Sequence, residues 1–275
     1  MPDPQPTATD LKAAVRTYWE RESCGTHVAG SEKFTRAYFD EIERYRYAVE
    51  PEIFSFAQFT RHHGERLLEV GVGAGSDFLQ WARAGCRVHG IDLTEEAIDH
   101  VRHRLAVYGF EAEDLRVADA EHLPYDDGTF DVVYSWGVIH HSPGTEQALR
   151  EIVRVTRPGG TIKVMVYHRP SLNTWFRWLR FAALRGQPFR SLTWVMHHHL
   201  ESPGTKAYTR AEFADMAARA GARITAIRTS ATRYDLQFES RAIVRAVAYA
   251  LACLVGWERC GFFLMAEMTR PPNGE

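Results

Sequence analysis

A glycine-rich stretch, LLEVGVGAGSDF, has residue types and a spacing that suit a nucleotide-type ligand. An apolar run carries the carboxylate of Glu69 close to its end. Three glycines follow at alternate positions: Gly71, Gly73 and Gly75. Glycines between a strand and a helix let the backbone approach a ligand closely. The spacing G-x-G-x-G departs from the dinucleotide fingerprint G-x-G-x-x-G, and a carboxylate there favours a cationic or amine-bearing ligand over a pyrophosphate.

A second acid, Asp92, ends the apolar stretch CRVHGIDL, 19 residues after Gly73. An acid at that place commonly takes the ribose hydroxyls of a nucleotide, in more than one class of nucleotide-binding protein. Asp92 also precedes Thr94 and a helical run, so a role as helix N-cap is the alternative. The two roles are compatible, and we expect binding.

Alternating strands and helices have to position these residues. Five apolar strand segments are separated by helical or loop segments: RLLEVGVG, CRVHGIDL, LRVADA, FDVVYSWGV and TIKVMVYH. Two more follow later in the chain, ARITAIRT and GFFLMAEMTR. Strands that alternate with helices are typical of a parallel sheet covered on both faces. The sequence therefore predicts a doubly wound α/β fold, with its ligand at the carboxyl ends of the strands.

We expect three parts in the chain. Residues 1–10 contain three prolines and no apolar core, which predicts a disordered tail rather than a signal peptide or membrane anchor. Residues 11–63 have apolar and aromatic residues at helical spacing and predict a helical N-terminal cover. Residues 64–275 form the sheet domain. Its alternation breaks after the fifth strand, which predicts an inserted lid at about residues 169–209.

Several blocks in order resemble the class I S-adenosylmethionine-dependent methyltransferases, in particular the small-molecule methyltransferase type 11 group. They are LLEVGVGAG, GIDLTEEAI, VADAEHLPYDDGTFDVVYS, which spans two family motifs, and RPGGTIKV. The resemblance covers about residues 64–170, and five motifs in the family order are far more specific than one. It implies a Rossmann-like, mostly parallel seven-stranded sheet with an antiparallel last strand. It also implies S-adenosyl-L-methionine as the cofactor.

The same resemblance implies roles for single residues. Glu69 and the three glycines match the first motif, and Asp92 holds the ribose hydroxyls. Leu93 and the Ala120 backbone line the adenine ring. Asp119 accepts a hydrogen bond from the adenine amino group, with a turn-forming role as the alternative. The full set of expected cofactor contacts is Glu69, Gly71, Gly73, Gly75, Asp92, Leu93, Asp119, Ala120, Ser135 and Tyr18.

The N-terminal segment YWERESCGTHVAG, followed by YRYAVEPEI, resembles less specifically a subgroup with a helical cover over the cofactor. That resemblance implies that Tyr18, Tyr38 or Tyr47 closes over the methionine end. Because Tyr18 lies on an apolar helical face, ordinary core packing is an equal alternative for it.

Two adjacent histidines in VIHHSPG follow the fourth strand, beside the place where the resemblance puts the methyl group. Imidazole has a pKa of about 6.5, so it can accept a proton from a hydroxyl, an amine or an acidic carbon. Methyl transfer from a sulfonium often needs only proximity and alignment, so a histidine that fastens the loop is the alternative. We name His141 first and His140 second as candidate catalytic bases.

The composition argues against several other classes of protein. A net charge of −2 argues against bulk electrostatic binding of nucleic acid. The four cysteines form no C-x-x-C pair and the histidine run 197–199 has no obvious further ligands, so we expect no metal site. This cysteine usage fits a reducing cytoplasm. The apolar stretch 242–257 is shorter than the roughly 20 residues of a membrane span, and it predicts a buried or interfacial helix.

The stretch 152–200 contains eight lysines and arginines and no acid. Trp175, Phe176 and Trp178 lie among its arginines at helical spacing. That pattern is typical of a helix that contacts an anionic membrane surface or an acidic substrate. We prefer the alternative, neutralisation by acids of the N-terminal part: Asp40, Glu41, Glu43, Glu50 and Glu52.

The sequence thus predicts a methyltransferase for a small-molecule acceptor, which enters between the N-terminal cover and the lid. A macromolecular or lipid target is one rival. Base- and amide-directed members often carry [DNS]-P-P-[YF], where this chain has SWGV. An NAD-dependent oxidoreductase is disfavoured by the missing third glycine and by Glu69, and a non-catalytic cofactor-binding protein is the third rival. Pairing of the aromatic-rich N-terminal helices into an oligomer stays open.

Overall fold

A seven-stranded sheet lies at the centre of the protein. The structure, a computed structural model, describes residues 7–21, 25–237 and 240–272. The strands are β1 (Arg66–Val70), β2 (Arg87–Asp92), β3 (Asp114–Val117), β4 (Phe130–Trp136), β5 (Thr156–Tyr167), β6 (Arg223–Ser230) and β7 (Phe263–Thr269). Their order is β3-β2-β1-β4-β5-β7-β6. β1 to β5 are parallel, whereas β7 is antiparallel to both β5 and β6. The predicted Rossmann-like α/β class and antiparallel last strand are confirmed.

Ten α-helices lie within the described ranges. They are α1 (Ala8–Arg21), α2 (Arg36–Val49), α3 (Glu52–Ala57), α4 (Ser76–Arg83), α5 (Glu95–Tyr108), α6 (Thr145–Val155), α7 (Leu172–Phe181), α8 (Leu192–His199), α9 (Arg210–Arg219) and α10 (Ala242–Val255). Short 3-10 turns add Thr26–Val28, Phe59–His62, Ile139–His141 and Ala183–Arg185.

Strand side chains alternate between two apolar layers, as the pleat of a sheet requires. On one face Leu67 of β1 and Tyr134 of β4 pack with Trp81 of α4 and with α5. On the other face Leu68 of β1 packs with α6 and with Phe213 of α9. Because both faces are covered, the strands are continuous apolar runs, which made them recognisable in the sequence.

The N-terminal helices α1 and α2 contribute residues beside the loop that follows β1, so they cover the carboxyl ends of the strands. α1 begins at Ala8, because the Thr7 hydroxyl accepts a hydrogen bond from the Asp10 backbone N–H. Residues 8–10 of the predicted disordered tail are therefore helical, and residues 1–6 lie outside the described residues.

The segment inserted after β5 contains α7 and α8. It returns to the sheet where the backbones of His168 and Tyr208 form a bridge. The buried carboxylate of Asp235 accepts hydrogen bonds from the backbone N–H groups of Asn173, in α7, and Phe262, just before β7. The start of the lid is thereby fixed to the antiparallel edge of the sheet.

The expected neutralisation of the basic stretch by N-terminal acids is wrong for the lid arginines. Glu43 pairs with Arg83 and Arg104, Glu41 accepts from the Ser31 hydroxyl, and Glu50 accepts from Trp136. These partners all lie in the N-terminal half, and Glu50 also accepts from the Tyr234 hydroxyl. Within the described residues, no ion pair joins a carboxylate to the following lid residues: Arg180, Arg185 and Arg190.

A buried lysine joins the helical cover to the sheet. Lys163 on β5 is fully buried, and its ammonium donates to the Phe56 carbonyl oxygen at 2.9 Å and to the Gln58 side chain at 3.2 Å. The Glu267 carboxylate of β7 lies 3.3 Å from the same ammonium. Burial lowers the pKa of Lys163, so its charge depends on these three oxygen partners.

Replacing Lys163 by Met should lower the free energy of unfolding by about 1–3 kcal/mol, because the Phe56 carbonyl loses its donor while the apolar stem is retained. Urea unfolding followed by circular dichroism measures the change. Lys33→Met is the matched control, since Lys33 forms an exposed ion pair with Glu96. This replacement should change the free energy of unfolding by less than about 0.5 kcal/mol. An unfolding midpoint of Lys163→Met equal to that of the wild type would contradict the anchoring role.

Candidate functional site

A cavity lies at the carboxyl ends of β1, β2 and β4, under α1. Most of the residues predicted from the sequence line it: Glu69, Gly71, Gly73, Gly75, Asp92, Leu93, Asp119, Ala120 and His141. Three predicted residues do not lie in its wall: Tyr18, Ser135 and His140. The parallel order of the strands brings the first group together from chain positions more than seventy residues apart.

The glycine loop requires its glycines for two different reasons. Gly71 has a φ of +83°, and a Cβ atom there would lie 2.3 Å from the Val138 side chain. Any side chain at Gly71 would therefore collide with the loop that follows β4. Gly73 has a φ of +50°, and a Cβ atom there would meet nothing within 4 Å among the described residues. The space beside the Gly73 backbone is thus open to a ligand.

Asp92 supports the loop and faces the cavity. One carboxylate oxygen accepts from the Gly73 backbone N–H at 3.1 Å, and the other accepts from the backbone and hydroxyl of Thr94. Thr94, not Asp92, caps α5, because its hydroxyl accepts from the Ala97 N–H. Burial raises the pKa of Asp92. The alternative role as N-cap is therefore wrong, and Asp92 braces the loop from the cavity wall.

Asp119 is paired with a lysine of α1. Its Oδ2 lies 2.6 Å from Lys12 Nζ, and its Oδ1 accepts from the Glu121 backbone N–H. Lys12 also lies 2.7 Å from the Glu121 carboxylate, and this pair of acids raises the pKa of Lys12 against the opposing effect of desolvation. α1 is thereby fastened across the part of the cavity where Asp119 lies.

The cavity-facing aromatic residue of α1 is Trp19. Lys12, Val15 and Trp19 line the cavity, at helical spacings of three and four residues. Tyr18 lies about 100° away on the helix surface, is 41% exposed, and contacts the Trp19 ring edge-to-face. Tyr18 therefore does not line the cavity in this structure, and its contact with the cofactor stays a prediction.

Carboxylates predominate near Glu69. Glu69 is buried at the end of β1, and its Oε2 has no hydrogen-bond partner among the described residues. Asp77 and Glu50 line the same cavity, with Arg46 as the nearby cation. Burial, together with the charges of Asp77 and Asp92, raises the pKa of Glu69 well above its ordinary value, against Arg46. An unpartnered acid oxygen here is complementary to a cationic group.

Asp77 joins the cover to the glycine loop. It lies in the first turn of α4 and accepts two hydrogen bonds from Arg46, at 3.0 and 2.7 Å. The hydroxyls of Tyr47 and Tyr134 donate to the same carboxylate. Tyr47, a candidate to close over the methionine end, is thus held by Asp77 and does not line the cavity. Tyr38 instead hydrogen-bonds to His100 of α5.

His141 and Glu201 form a pair in another part of the cavity wall. The Nε2 atom of His141 lies 3.5 Å from Glu201 Oε2, and that oxygen accepts from the Tyr167 hydroxyl at 2.8 Å. On its other side, His141 Nδ1 lies 2.8 Å from the Ser202 hydroxyl and 3.0 Å from that of Thr205. Burial lowers the pKa of His141 to about 3, so its imidazole is neutral near pH 7. Desolvation raises the pKa of Glu201.

Two other predicted residues are buried away from the cavity. His140 is fully buried against the Tyr167 ring, and neither of its ring nitrogens has a hydrogen-bond partner among the described residues. Burial lowers its pKa well below the ordinary range, so it packs as a neutral ring. Ser135 is fully buried within β4. Neither His140 nor Ser135 lines the cavity in this arrangement, and their catalytic or cofactor contacts stay predictions.

Three residues of the cavity wall were not predicted from the sequence: Lys12, Trp19 and Glu201. Lys12 and Trp19 lie three and four residues from Val15, so helical spacing puts them on the same face and could have identified them. Glu201 is the first acid after Glu151, directly beyond the basic stretch, and an isolated acid there was a usable signal.

Residues 68–164 match the family model described as a methyltransferase domain. A 27-O-demethylrifamycin SV methyltransferase from Amycolatopsis mediterranei is 37% identical over 103 residues, which are 36% of this chain and 37% of that relative. Norajmaline N-methyltransferase from Rauvolfia serpentina is 32% identical over 111 residues, 40% of this chain and 38% of the relative. The matched part of the chain thus spans less than two fifths of the length of these relatives.

Solved structures share the fold over nearly the whole chain. The geranyl diphosphate C-methyltransferase of Streptomyces coelicolor A3(2), in complex with S-adenosyl-L-homocysteine, covers 96% of this chain and 100% of its own, with a TM-score of 0.63 and 16% identity. The [4+2]-cyclase SpnF covers 98% and 97%, with a TM-score of 0.57 and 18% identity. Such identities establish the fold alone. The domain match identifies residues 68–164 as a methyltransferase domain of the type 11 family, and the solved structures show that the fold around it is the one that class I S-adenosylmethionine-dependent methyltransferases share.

Proposed function

We propose that this chain moves a methyl group from S-adenosylmethionine to a small-molecule acceptor by in-line displacement. The observation that carries the proposal is that one cavity wall contains both groups suited to the cofactor and groups that can accept a proton. Glu69 has an unpartnered oxygen beside the open backbone of Gly73, which suits a cationic nucleotide-type cofactor. His141 and Glu201 stand in the same wall, where they can take a proton from an acceptor.

The residues around the loop fit the cofactor of the family. Asp92 is placed for the ribose hydroxyls, and Glu69 for the positively charged methionine amine. Leu93 and Ala120 supply apolar wall for the adenine. Asp119 is paired with Lys12 in this structure, and because a carboxylate oxygen can accept more than one hydrogen bond, an adenine amino group can share this carboxylate with Lys12. When bound, S-adenosylmethionine supplies an activated methyl group on a sulfonium.

His141 is oriented for proton acceptance by its neighbours. The Thr205 hydroxyl donates to the Ser202 carbonyl oxygen, so its oxygen accepts from Nδ1–H of His141. The remaining lone pair is then on Nε2, directed toward Glu201. A proton from an acceptor hydroxyl, amine or acidic carbon can be shared between Nε2 and the Glu201 carboxylate, while Tyr167 holds that carboxylate in place.

The shape of the site supports a small acceptor. Trp19 from the cover, Trp136 and Tyr167 from the sheet and Tyr234 all line the cavity, so an acceptor lies among aromatic rings. Relatives named for rifamycin and norajmaline methylation support the same class. A malonyl-[acyl-carrier protein] O-methyltransferase from Serratia marcescens, 36% identical over 101 residues, keeps a carrier-bound acceptor as an alternative.

The first test has two measurements on the full chain. Calorimetric titration should give binding of S-adenosylmethionine and S-adenosylhomocysteine, and none of NAD. Methyl-labelled S-adenosylmethionine should then label at least one component of a metabolite extract. Binding without any label transfer would overturn methyl transfer. It would favour a non-catalytic cofactor-binding protein or a reaction other than methyl transfer, since a protein of this fold, SpnF, is named as a [4+2]-cyclase. Absence of binding would overturn the cofactor assignment.

Asp92→Ala should weaken cofactor binding at least tenfold, since each lost charge-assisted hydrogen bond contributes about 1.5–3 kcal/mol. The thermal midpoint should also fall, because the Gly73 and Thr94 N–H groups lose their acceptor. Titration with S-adenosylhomocysteine and a thermal melt separate the two effects. Asp99→Ala is the control, since Asp99 is exposed on α5. A lowered thermal midpoint with unchanged affinity for S-adenosylhomocysteine would show that Asp92 only supports the loop.

The pH dependence of turnover should identify the proton acceptor. The raised pKa of Glu201 keeps its carboxylate protonated in acid, so turnover should rise with pH through a midpoint above the ordinary glutamate range. Glu201→Gln should abolish this rise. His141→Ala should slow turnover about 100-fold and leave S-adenosylhomocysteine affinity within about twofold.

His198→Ala is the matched histidine control, because His198 is exposed on α8 and its ring contacts Trp194. It should leave turnover and its pH profile unchanged. If the rise with pH survives in Glu201→Gln, another group takes the proton. If His141→Ala turns over at the wild-type rate, His141 serves only to fasten the loop.

A further inference from the structure

α10 is an almost wholly apolar helix that the rest of the protein barely covers. Arg245 is its single charged residue, and Ala248 and Ala252 are its buried residues. Ile243 is 72% exposed and Leu254 82% exposed. A helix that is apolar all round is ordinarily buried in a core or in a membrane. An exposed one marks a surface that binds a partner.

The exposed side of α10 is continuous along the helix. Ile243, Val247, Ala250 and Leu254 follow each other at spacings of four, three and four residues, which places them on one helix face. The buried alanines occupy the other side. Apolar side chains therefore line the outer face of α10 from its first turn to its last.

α7 packs beside α10 and carries further exposed apolar residues. Leu172 and Phe176 of α7 pack with Ala252 of α10, so the two helices are neighbours. Trp175 and Leu179 continue the same apolar side of α7 by helical spacing, and both are about half exposed. The outer face of α10 together with Trp175 and Leu179 is called the apolar surface below.

Positive charges predominate beside the apolar surface, and Glu258 is the first acid beyond α10. Neither residues 152–200 nor residues 241–257 contain an acid. Arg241 and Arg245 are exposed at α10, and Arg180 is exposed on α7. Within the described chain these arginines have no carboxylate partner: Arg180 lies over the Phe181 ring, and Arg245 donates to the Ser240 carbonyl oxygen.

We infer that the apolar surface docks on an anionic lipid bilayer, with α10 lying in the interface plane. Apolar side chains flanked by arginines are the combination that binds anionic membrane surfaces. A 14-residue helix is about 21 Å long, shorter than the roughly 30 Å of a bilayer core. No helix in the described residues is long and apolar enough to cross a membrane.

A second copy of the chain fits this surface less well. A symmetric contact through α10 would bring the arginines of one copy close to the same arginines of the other. Residues 241–257 contain no acid, so no carboxylate on the two facing helices offsets that repulsion. Anionic headgroups neutralise the arginines instead. The inference is independent of the proposed methyl transfer, because it rests on residues outside the cavity wall.

The test is co-sedimentation of the full chain with vesicles of equal parts phosphatidylcholine and phosphatidylglycerol, compared with phosphatidylcholine alone. Binding should be stronger to the anionic vesicles and should fall with added salt. Ile243→Ser combined with Leu254→Ser should lower the partition coefficient at least tenfold, because two inserted apolar side chains are lost. Arg241→Ser combined with Arg245→Ser should lower it several-fold for anionic vesicles.

Two control variants match these changes elsewhere on the surface. Phe54→Ser removes an exposed apolar residue of α3, and Arg102→Ser with Arg150→Ser removes two exposed positive charges. Both should bind vesicles like the wild type. Unchanged S-adenosylhomocysteine affinity and thermal midpoints would show that the α10 variants stay folded, whatever the outcome for methyl transfer.

Three results would overturn the inference. One is equal, weak sedimentation with both kinds of vesicle. Another is anionic binding that survives in the Ile243→Ser, Leu254→Ser variant. The third is a stable dimer in light scattering that the same double variant converts to a monomer, with no lipid binding by either protein. That last result would assign the apolar surface to a second copy of the chain.

Discussion

The site depends on one buried carboxylate, Asp77, in the first turn of α4. Four hydrogen bonds converge on it, two from Arg46 and one each from the hydroxyls of Tyr47 and Tyr134. They come from α2 and β4, so the helical cover, the helix after the glycine loop and the sheet are fixed to one another at this point. The N-terminus of α4 favours a negative charge there. Glu43 of α2 adds hydrogen bonds from Gln80 and Arg83 further along α4.

This arrangement leaves the neighbouring acid, Glu69, in need of a positive charge. Arg46 is engaged by Asp77 and lies within 3.6 Å of Glu50, so it compensates those carboxylates before it compensates Glu69. Glu69 therefore remains buried with an unpartnered oxygen, a costly state in a folded protein unless a ligand or a proton relieves it. A positively charged ligand relieves it without a change in the fold. The raised pKa of Glu69 and its complementarity to a cationic ligand both follow from this charge balance.

The sequence predicted what local chain patterns determine. Glycine spacing and an acid at the end of the next strand fix the loop and Asp92 within one βαβ unit, so both were identified. Trp19 was confused with Tyr18 because one residue turns a helix by about 100°, and the docking of α1 decides which ring faces inward. That docking depends on Lys12 reaching Asp119, 107 residues later. Glu201 meets His141 only through the fold of the lid, which no motif describes.

The distribution of charge over the described residues then explains why Arg180, Arg185 and Arg190 of the lid have no carboxylate partner there. The N-terminal acids appeared available to neutralise them, but Glu43 and Glu50 are committed to partners around the cover and the cavity. Folding therefore uses the negative charges to build the site and leaves positive charge on α7 and α10, beside apolar side chains that no described element covers. The lid thus has two sides with different constraints. Its end supplies Glu201 to a closed cavity, and α7, with α10, presents arginines and apolar residues outward, where an anionic surface satisfies both.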